Sequence, residues 1–338
     1  MNALGWPLLP TPDLTGELIV LTGGSDGLGR EAALQLACWG ARLILPVRSQ
    51  GKGERVAARI TQETGRRDAT TLIPMDLADL SSVRAGSDRI RDLAGDRLVD
   101  RLVSVAGTVT RHRRSTVDGF EQMVAVNALA PMVLTERLLP IIRERVVVVA
   151  SHAHTFGRVD PDDLHFRDGS WSLRAGYGGS KLLTMLWGLE LTDRLRERDA
   201  RPDLQLVHPG WVLTNLQNAS GSARVDRLVT AASRPFAMSA QRGAQSVLFA
   251  ATQPLPHGSY IGPDGAGALR GRPTFLQRTE TASDRELAHR TAARMREEVG
   301  LGDPFPLDFP SSPHSPRGVR QTEESSTEPC GYPPCPSE

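Results

Sequence analysis

A short apolar run followed by a glycine-rich turn lies near the start of the chain: LIVLTGGSDGLG, residues 18–29. The residues that follow, Glu31 to Trp39, form a helix-like stretch. A strand, a glycine-rich turn and a helix in this order can hold the phosphates of a dinucleotide. This stretch therefore predicts the first β–α unit of an α/β sheet.

The glycines of this turn each suit a separate requirement of phosphate binding. Gly23 permits the tight turn, Gly27 lets the backbone approach a pyrophosphate, and Gly29 allows close packing of the helix on the strand. The free N–H groups and the dipole at the start of the helix would hold the phosphates. Ser25 and Leu28 lie in the same turn and are candidate cofactor contacts with the three glycines.

Outward from this stretch, apolar runs and helical stretches alternate, which predicts repeated β–α units around one parallel sheet. We expect a single Rossmann-type, doubly wound parallel sheet flanked by helices, whose ligands bind at the carboxyl ends of the strands. Strands are predicted at 17–22, 42–47, 70–75, 98–105, 145–150, 203–208 and 258–261. Helices are predicted at 28–39, 52–64, 79–94, 118–143, 175–199, 239–252 and 282–298.

A second motif is YGGSK at residues 177–181. Tyr177 and Lys181 are four positions apart, so on a helix they lie on one face, a turn apart. A phenol has a pKa of about 10, and a neighbouring ammonium favours its ionised form. We therefore interpret the pair as a proton-transfer device, although the same spacing is also ordinary on helix surfaces.

Together the two motifs resemble the short-chain dehydrogenase/reductase family, whose glycine pattern Thr22 to Gly29 satisfies. Three further family positions follow in the expected order: Asn127 within a predicted helix, Ser151 after a run of valines, and the pair Pro209-Gly210. The resemblance covers about residues 16 to 300. The gap of 26 positions between Ser151 and Tyr177 resembles the branch of retinol dehydrogenases and WW-domain oxidoreductases.

The resemblance implies hydride transfer between a nicotinamide and a substrate carbon. Tyr177 would act as acid or base, and Lys181 would lower its pKa and hydrogen-bond the nicotinamide ribose. Ser151 would polarise the substrate oxygen, and Asn127 would hold a water that links Lys181 to solvent. Substrates would be alcohols and ketones or aldehydes, apolar or bulky if residues 215–240 form an apolar lid over the nicotinamide.

The end of the second strand bears on the choice of nicotinamide cofactor. An acidic residue at this position would bind the ribose hydroxyls of NAD, but Val47 and Arg48 stand there instead. Arg48, assisted by Lys52, could grip a 2′-phosphate, which favours NADP(H) over NAD(H). Asp26 in the glycine turn argues the other way, because a carboxylate near that phosphate would repel it.

The resemblance assigns further cofactor contacts after later strands. Asp76 and Leu77 would contact the adenine, although an Asp here is also an ordinary helix N-cap. Ala106 and Gly107 keep the close backbone approach, but Ser104-Val105 replaces two asparagines that the family usually has, which removes stabilising hydrogen bonds.

Downstream, the family pattern places the Pro-Gly segment beside the nicotinamide. Pro209, Val212 and Thr214 would engage the carboxamide and the phosphates and so fix the ring face that meets the substrate. His152 and His154 could reach the substrate, but we interpret them as loop histidines, and their spacing predicts no metal site.

Composition excludes several classes of protein. The 338 residues carry 40 basic and 39 acidic side chains, for a net charge of +1. This near-neutral balance does not favour nucleic-acid binding, which usually needs a strongly positive surface. We find neither a signal peptide nor a stretch that we expect to span a bilayer, and we predict a cytoplasmic location. The three cysteines, Cys38, Cys330 and Cys335, form no disulfide framework.

We divide the chain into an N-terminal lead (1–15), one dinucleotide-binding domain (16–302) and a tail (303–338). Nine prolines and six serines among the 36 residues of the tail predict disorder. In relatives the long helices predicted near 118–143 and 175–199 form the dimer face, so a homodimer or homotetramer is plausible. Two rival functions remain: a non-catalytic dinucleotide-binding sensor or scaffold, and a nucleotide-sugar epimerase or dehydratase.

Overall fold

A computed structural model describes residues 11–212 and 238–305, which form one eight-stranded sheet of order β3-β2-β1-β4-β5-β6-β7-β8. All neighbouring strands are parallel except β7 and β8. The strands are β1 (Leu18–Thr22), β2 (Arg42–Val47), β3 (Thr70–Pro74), β4 (Val99–Ser104), β5 (Ile142–Val149), β6 (Asp203–Val207), β7 (Tyr260–Pro263) and β8 (Pro273–Phe275). The doubly wound parallel sheet expected from the sequence is confirmed.

Helices cover both faces of the sheet. They are α1 (Gly27–Cys38), α2 (Gln50–Thr64), α3 (Leu80–Ala94), α4 (Gln122–Val124), α5 (Ala130–Leu138), α6 (Leu173–Glu197), α7 (Ala240–Thr252) and α8 (Arg285–Glu298). A π-helical turn, Ala125–Leu129, joins α4 to α5. Helices α3, α5, α6 and α8 share one apolar core with the sheet, and α1, α2 and α7 share the other.

Central strands are buried on both faces, as the continuous apolar runs predicted. In β1, Ile19 and Leu21 belong to the α1 side and Leu18 and Val20 to the α6 side. Every residue of β1 is buried. Because parallel strands place their carboxyl ends at one edge, the loops after β1, β2, β3, β4, β5 and β6 meet there.

Three elements differ from the sequence prediction. The helix predicted at 118–143 begins at Gln122, and Ile142 already belongs to β5, because Pro140 leads a short 3₁₀ turn, Leu139–Ile141, out of the helix. The last helix begins at Arg285 rather than 282, because the carboxylate of Asp284 accepts from the backbone N–H of Leu287. The three-residue antiparallel strand β8 was missed because three residues are too few to show the apolar–polar alternation of a strand.

Helix α8 packs along α6 and closes a buried ionic cluster. The Arg296 guanidinium donates to Glu136 on α5 at 2.8 Å and to Glu190 on α6 at 2.7 Å. Trp187 Nε1 also donates to Glu136 at 3.0 Å. Part of the α5–α6 surface on which we based the expected oligomer is thus occupied by the chain's own last helix.

The described residues at both ends of the predicted domain pack into it. Leu14, within the predicted lead, is buried, and its N–H donates to the carbonyl of Trp39 at 2.7 Å. Phe305, within the predicted tail, is 5 % exposed and lies beneath the guanidinium groups of Arg194 and Arg198. The packed domain therefore reaches at least from residue 14 to residue 305. Cys330 and Cys335 lie outside the described residues.

One segment of the described chain, Gln122–Ile141, has the length and apolar composition of a membrane-spanning helix, contrary to our expectation that no stretch would. Within this fold 83 % of its apolar window is buried between the sheet and α6. A mostly buried core helix passes the same test of length and composition, so the segment is weak evidence for a membrane span.

Candidate functional site

The glycine turn fits against the loop after β4 so closely that side chains are excluded. A Cβ on Gly23, which has φ +74°, would lie 2.8 Å from the backbone nitrogen of Ala106. A Cβ on Gly29 would lie 2.3 Å from the carbonyl oxygen of Gly23. These contacts bring the N-terminus of α1 against the ends of β1 and β4, as a pyrophosphate site requires.

Asp26 in this turn is engaged on both oxygens. One oxygen accepts from the backbone N–H of Gly27 at 2.8 Å, so Asp26 is the N-cap of α1. The other lies 2.6 Å from Lys52 Nζ. The carboxylate that we expected to repel a 2′-phosphate is therefore paired with a lysine in this structure.

A first cavity of about 390 Å³ runs along this turn. Arg48 lies at its edge, at the end of β2, and is exposed. The cofactor candidates that line the cavity are Gly23, Ser25, Gly27, Leu28, Gly29, Arg48, Asp76, Leu77, Ala106 and Gly107. The structure thus brings the predicted residues of the first four strand ends to one cleft.

Asp76 lines this cleft without capping the next helix. Its Oδ1 accepts from the backbone N–H of Ala78 at 3.0 Å, whereas Asp79 accepts from Ser81 and Ser82 at the start of α3. The N-cap role considered for Asp76 therefore belongs to Asp79. The Asp76 carboxylate remains at the cavity wall, where a donor group of a ligand can meet it.

A second cavity of about 410 Å³ continues from the first and shares five lining residues with it: Leu28, Val105, Gly107, Thr108 and Val109. All four candidate catalytic residues line this second cavity: Asn127, Ser151, Tyr177 and Lys181. The structure therefore places the predicted proton-transfer groups next to the predicted dinucleotide cleft.

Asn127 lies in the π-helical turn between α4 and α5, and π turns recur at functional sites. Its Oδ1 accepts from the N–H of Thr108 at 2.7 Å, and its Nδ2 donates to the Thr108 carbonyl and to Ser180 Oγ, each at 3.0 Å. These bonds tie the loop after β4 to α6. Asn127 and Lys181 both lie next to Gly107. A Cβ placed on Gly107 would lie 3.2 Å from Asn127 Oδ1 and 3.9 Å from Lys181 Nζ.

Lys181 is buried in the wall of the second cavity. Its ammonium donates to the carbonyl of Val149, at the end of β5, at 2.7 Å. Burial lowers the pKa of Lys181 from 10.5 to about 8, because the loss of solvent disfavours the charged ammonium. The side chain can therefore change its charge near physiological pH.

Tyr177 and Ser151 are paired across the cavity. Burial raises the pKa of Tyr177, and a hydrogen bond with the Ser151 side chain opposes that rise. This direction is opposite to the lowering that we expected from Lys181, because desolvation of the phenol dominates and the Lys181 ammonium donates to Val149. Ser151 Oγ also accepts from the N–H of Ala153 at 3.2 Å, which sets its orientation.

The segment after β6 closes the cavity at the far side. Pro209, Gly210 and Val212 line it, and Val212 is bridged to Met238. Gly210 has φ +81°, and a Cβ there would lie 2.8 Å from the carbonyl oxygen of Leu269. Thr214, and the predicted lid except for its last residues, lie outside the described residues.

Sequence reasoning missed several cavity residues. Thr108 and Val109 join the two cavities but belong to no motif that we recognised. His208 lines the cavity too, although the motif that we recognised begins only at Pro209. His152 lines the cavity as well, whereas His154 is buried behind it and binds the Ser151 carbonyl through Nδ1 at 2.8 Å. Among the described residues no cluster could hold a metal ion.

Comparison with known proteins agrees with this geometry. The family model described as short chain dehydrogenase matches residues 17–160. A mouse polyprenol dehydrogenase is 33 % identical over 310 residues, which cover 88 % of this chain and 87 % of that protein. The chain belongs to the short-chain dehydrogenase/reductase family. Mouse retinol dehydrogenase 12 is 34 % identical over 70 % of this chain and 74 % of its own length, in accord with the retinol dehydrogenase-like branch.

Solved structures agree on the fold. A Mycobacterium paratuberculosis protein has a TM-score of 0.71 and 31 % identity, with 89 % of this chain and 97 % of that chain covered. A short chain dehydrogenase from Burkholderia cenocepacia in complex with NADP has a TM-score of 0.56 and 26 % identity, over 73 % and 96 %. This chain is therefore an oxidoreductase of the family, with the family's nicotinamide-dinucleotide site.

Proposed function

We propose that this enzyme interconverts an alcohol and a ketone or aldehyde with NADP(H), on an apolar or bulky substrate. The observation that carries the proposal is the meeting of Ser151, Tyr177 and Lys181 in a cavity continuous with the glycine cleft. A non-catalytic sensor would need the cleft but none of these three side chains. An epimerase or dehydratase of nucleotide sugars usually has a larger C-terminal substrate region than the two short strands and one helix that follow α7 within the residues described up to 305.

Each side chain has a defined task in this mechanism. Bound NADP(H) supplies or accepts the hydride. The Tyr177 phenol donates its proton to the substrate oxygen in reduction and removes it in oxidation. The Ser151 hydroxyl forms a hydrogen bond with the same substrate oxygen. Lys181, which lies close to Asn127, returns a proton to Tyr177 after each reduction. The raised pKa of Tyr177 suits the acid role, so its protonated form dominates at neutral pH.

The preference for NADP(H) rests on charge at the end of β2. Arg48 is exposed at the cleft, and no ion pair or hydrogen bond of its side chain occurs among the described residues. Lys52 is already paired with Asp26, so Arg48 is the cation left to meet a 2′-phosphate. The NADP complex of the Burkholderia relative supports the same choice.

The preference for apolar substrates rests on the cavity mouth. Phe156, Trp211 and Leu269 line it and are 37 %, 39 % and 44 % exposed, which is unusual for large apolar side chains. Relatives named for polyprenol and retinol are consistent with such a mouth.

The test combines binding with turnover. We expect NADPH to bind clearly more tightly than NADH in a fluorescence titration, and the wild type to reduce apolar ketones or aldehydes. Tyr177→Phe should retain NADPH binding and lose turnover by about 100-fold or more, the usual worth of an acid or base. Full turnover in that variant would refute the mechanism, and binding of neither nucleotide would favour the scaffold function.

A further inference from the structure

The cavity contains a histidine that the hydride-transfer mechanism does not use. His208 follows β6 and lines the cavity together with Ser151, Tyr177 and Lys181. The residue is 5 % exposed, and both ring nitrogens are buried without a hydrogen-bond partner among the described residues. Buried polar groups of folded proteins are almost always paired, so an unpaired imidazole in a binding cavity points to a ligand.

The backbone fixes the place from which this side chain projects. The N–H of His208 donates to the carbonyl of Ile261 at 2.7 Å, and a Cβ on Gly262 would lie 3.2 Å from His208 Cβ. The Cα–Cβ bond of His208 is therefore held at the cavity wall.

The surroundings of His208 keep the ring neutral. Burial, together with the nearby His152, His154 and Lys181, lowers the pKa of His208 from 6.5 to about 3. The backbone of Ala268 opposes this lowering. A neutral imidazole offers one donor and one acceptor, so it can bind a hydroxyl, a carbonyl or an amide.

His152 extends the same polar surface toward solvent. Its ring centroid lies 5.9 Å from that of His208, and it lines the cavity while remaining exposed. The rest of the mouth is apolar, with Phe156, Trp211 and Leu269. The cavity thus has an apolar mouth with one polar wall, separate from the Ser151–Tyr177 pair.

We propose that His208 is a specificity-determining residue that hydrogen-bonds a second polar group of the substrate, remote from the carbon that reacts. The preferred substrates are then apolar ketones or alcohols that carry a further hydroxyl or carbonyl, rather than compounds with one oxygen. This inference rests on the proposed function, because it concerns the substrate of the same cavity.

The test uses 2-tetralone and its hydroxylated derivatives, with the hydroxyl at each ring position in turn. For the wild type we expect at least one hydroxytetralone to exceed 2-tetralone in kcat/KM by about tenfold or more. His208→Phe keeps the ring volume without nitrogen and should bring that ratio below about threefold. His208→Gln restores a donor and an acceptor and should recover part of it, and His289→Gln, on the exposed side of α8, should leave the ratio as in the wild type.

Binding of the same compounds to the NADPH-loaded protein, measured by calorimetry, separates this inference from the proposed function. A preference that is present in the wild type and lost in His208→Phe supports the inference even if no ketone is reduced. No preference in the wild type, or a preference that survives in His208→Phe, overturns it. A tenfold loss of NADPH affinity in His208→Phe with an unchanged tetralone ratio also overturns it, because the ring would then serve the cofactor.

Discussion

Replacement of Lys181 by methionine should stabilise the protein while it abolishes turnover. The folded state lowers the pKa of Lys181 from 10.5 to about 8, so folding disfavours its charged form. At about 1.4 kcal/mol per pKa unit, this difference amounts to about 3 kcal/mol at neutral pH. The variant loses the 2.7 Å bond to Val149, worth about 1 kcal/mol. We therefore expect Lys181→Met to gain about 2 kcal/mol in the free energy of unfolding at pH 7.

The sign of the pH dependence provides an internal check. Between pH 8 and 10.5 the unfolded chain binds a proton at this lysine and the folded chain does not, so wild-type stability rises with pH there. The advantage of Lys181→Met should thus be largest below pH 8 and should shrink to near zero by about pH 9.5.

The assay is urea unfolding of the dinucleotide-free proteins at pH 7 and pH 9.5. Lys52→Met is the matched control, because Lys52 is half-exposed and makes only the surface pair with Asp26. Lys52 and Lys181 are the two lysines of the sequence, so selective isotope labelling also gives the Lys181 pKa directly by NMR. A well-folded Lys181→Met that is less stable than the wild type at pH 7 would refute the reasoning.

Two further predictions concern charged side chains. Arg48→Asp should shift the preference from NADPH toward NADH in the fluorescence titration. The control Arg42→Asp, at the opposite end of β2, should leave the preference unchanged. An unchanged preference in Arg48→Asp would show that Arg48 does not bind the 2′-phosphate. Arg296→Met leaves the buried carboxylate of Glu136 without its cation and that of Glu190 with Arg194 alone, so it should cost about 3–5 kcal/mol in thermal or urea unfolding at pH 7. Arg285→Met, whose side chain is 73 % exposed, should cost less than about 1 kcal/mol. Since burial already raises the pKa of Glu136, the loss in Arg296→Met should diminish as the pH falls toward 5, and equal stability of the two variants would contradict the buried cluster.

Much of the site was predictable because its parts are contiguous in sequence. The spacing of the glycines from Gly23 to Gly29 is enough to predict the turn, because the tight backbone contacts there require residues without a side chain. Tyr177 and Lys181 are likewise joined by one helical turn. The strand runs are apolar on both faces, so the parallel sheet and its order of β–α units follow from periodicity.

Other features depend on residues far apart in the chain, which no local pattern contains. His152 and His208 meet because β5 and β6 end side by side, and Arg296 reaches Glu136 across 160 positions. Burial raises the pKa of Tyr177 and lowers that of Lys181, and the extent of burial cannot be read from the sequence. The sequence by itself thus determined the fold and the family and indicated the candidate catalytic residues, because local geometry encodes these motifs. Only the tertiary structure decided how burial shifts the pKa values of those residues and which further side chains line the cavity, because desolvation and long-range contacts arise when the chain packs.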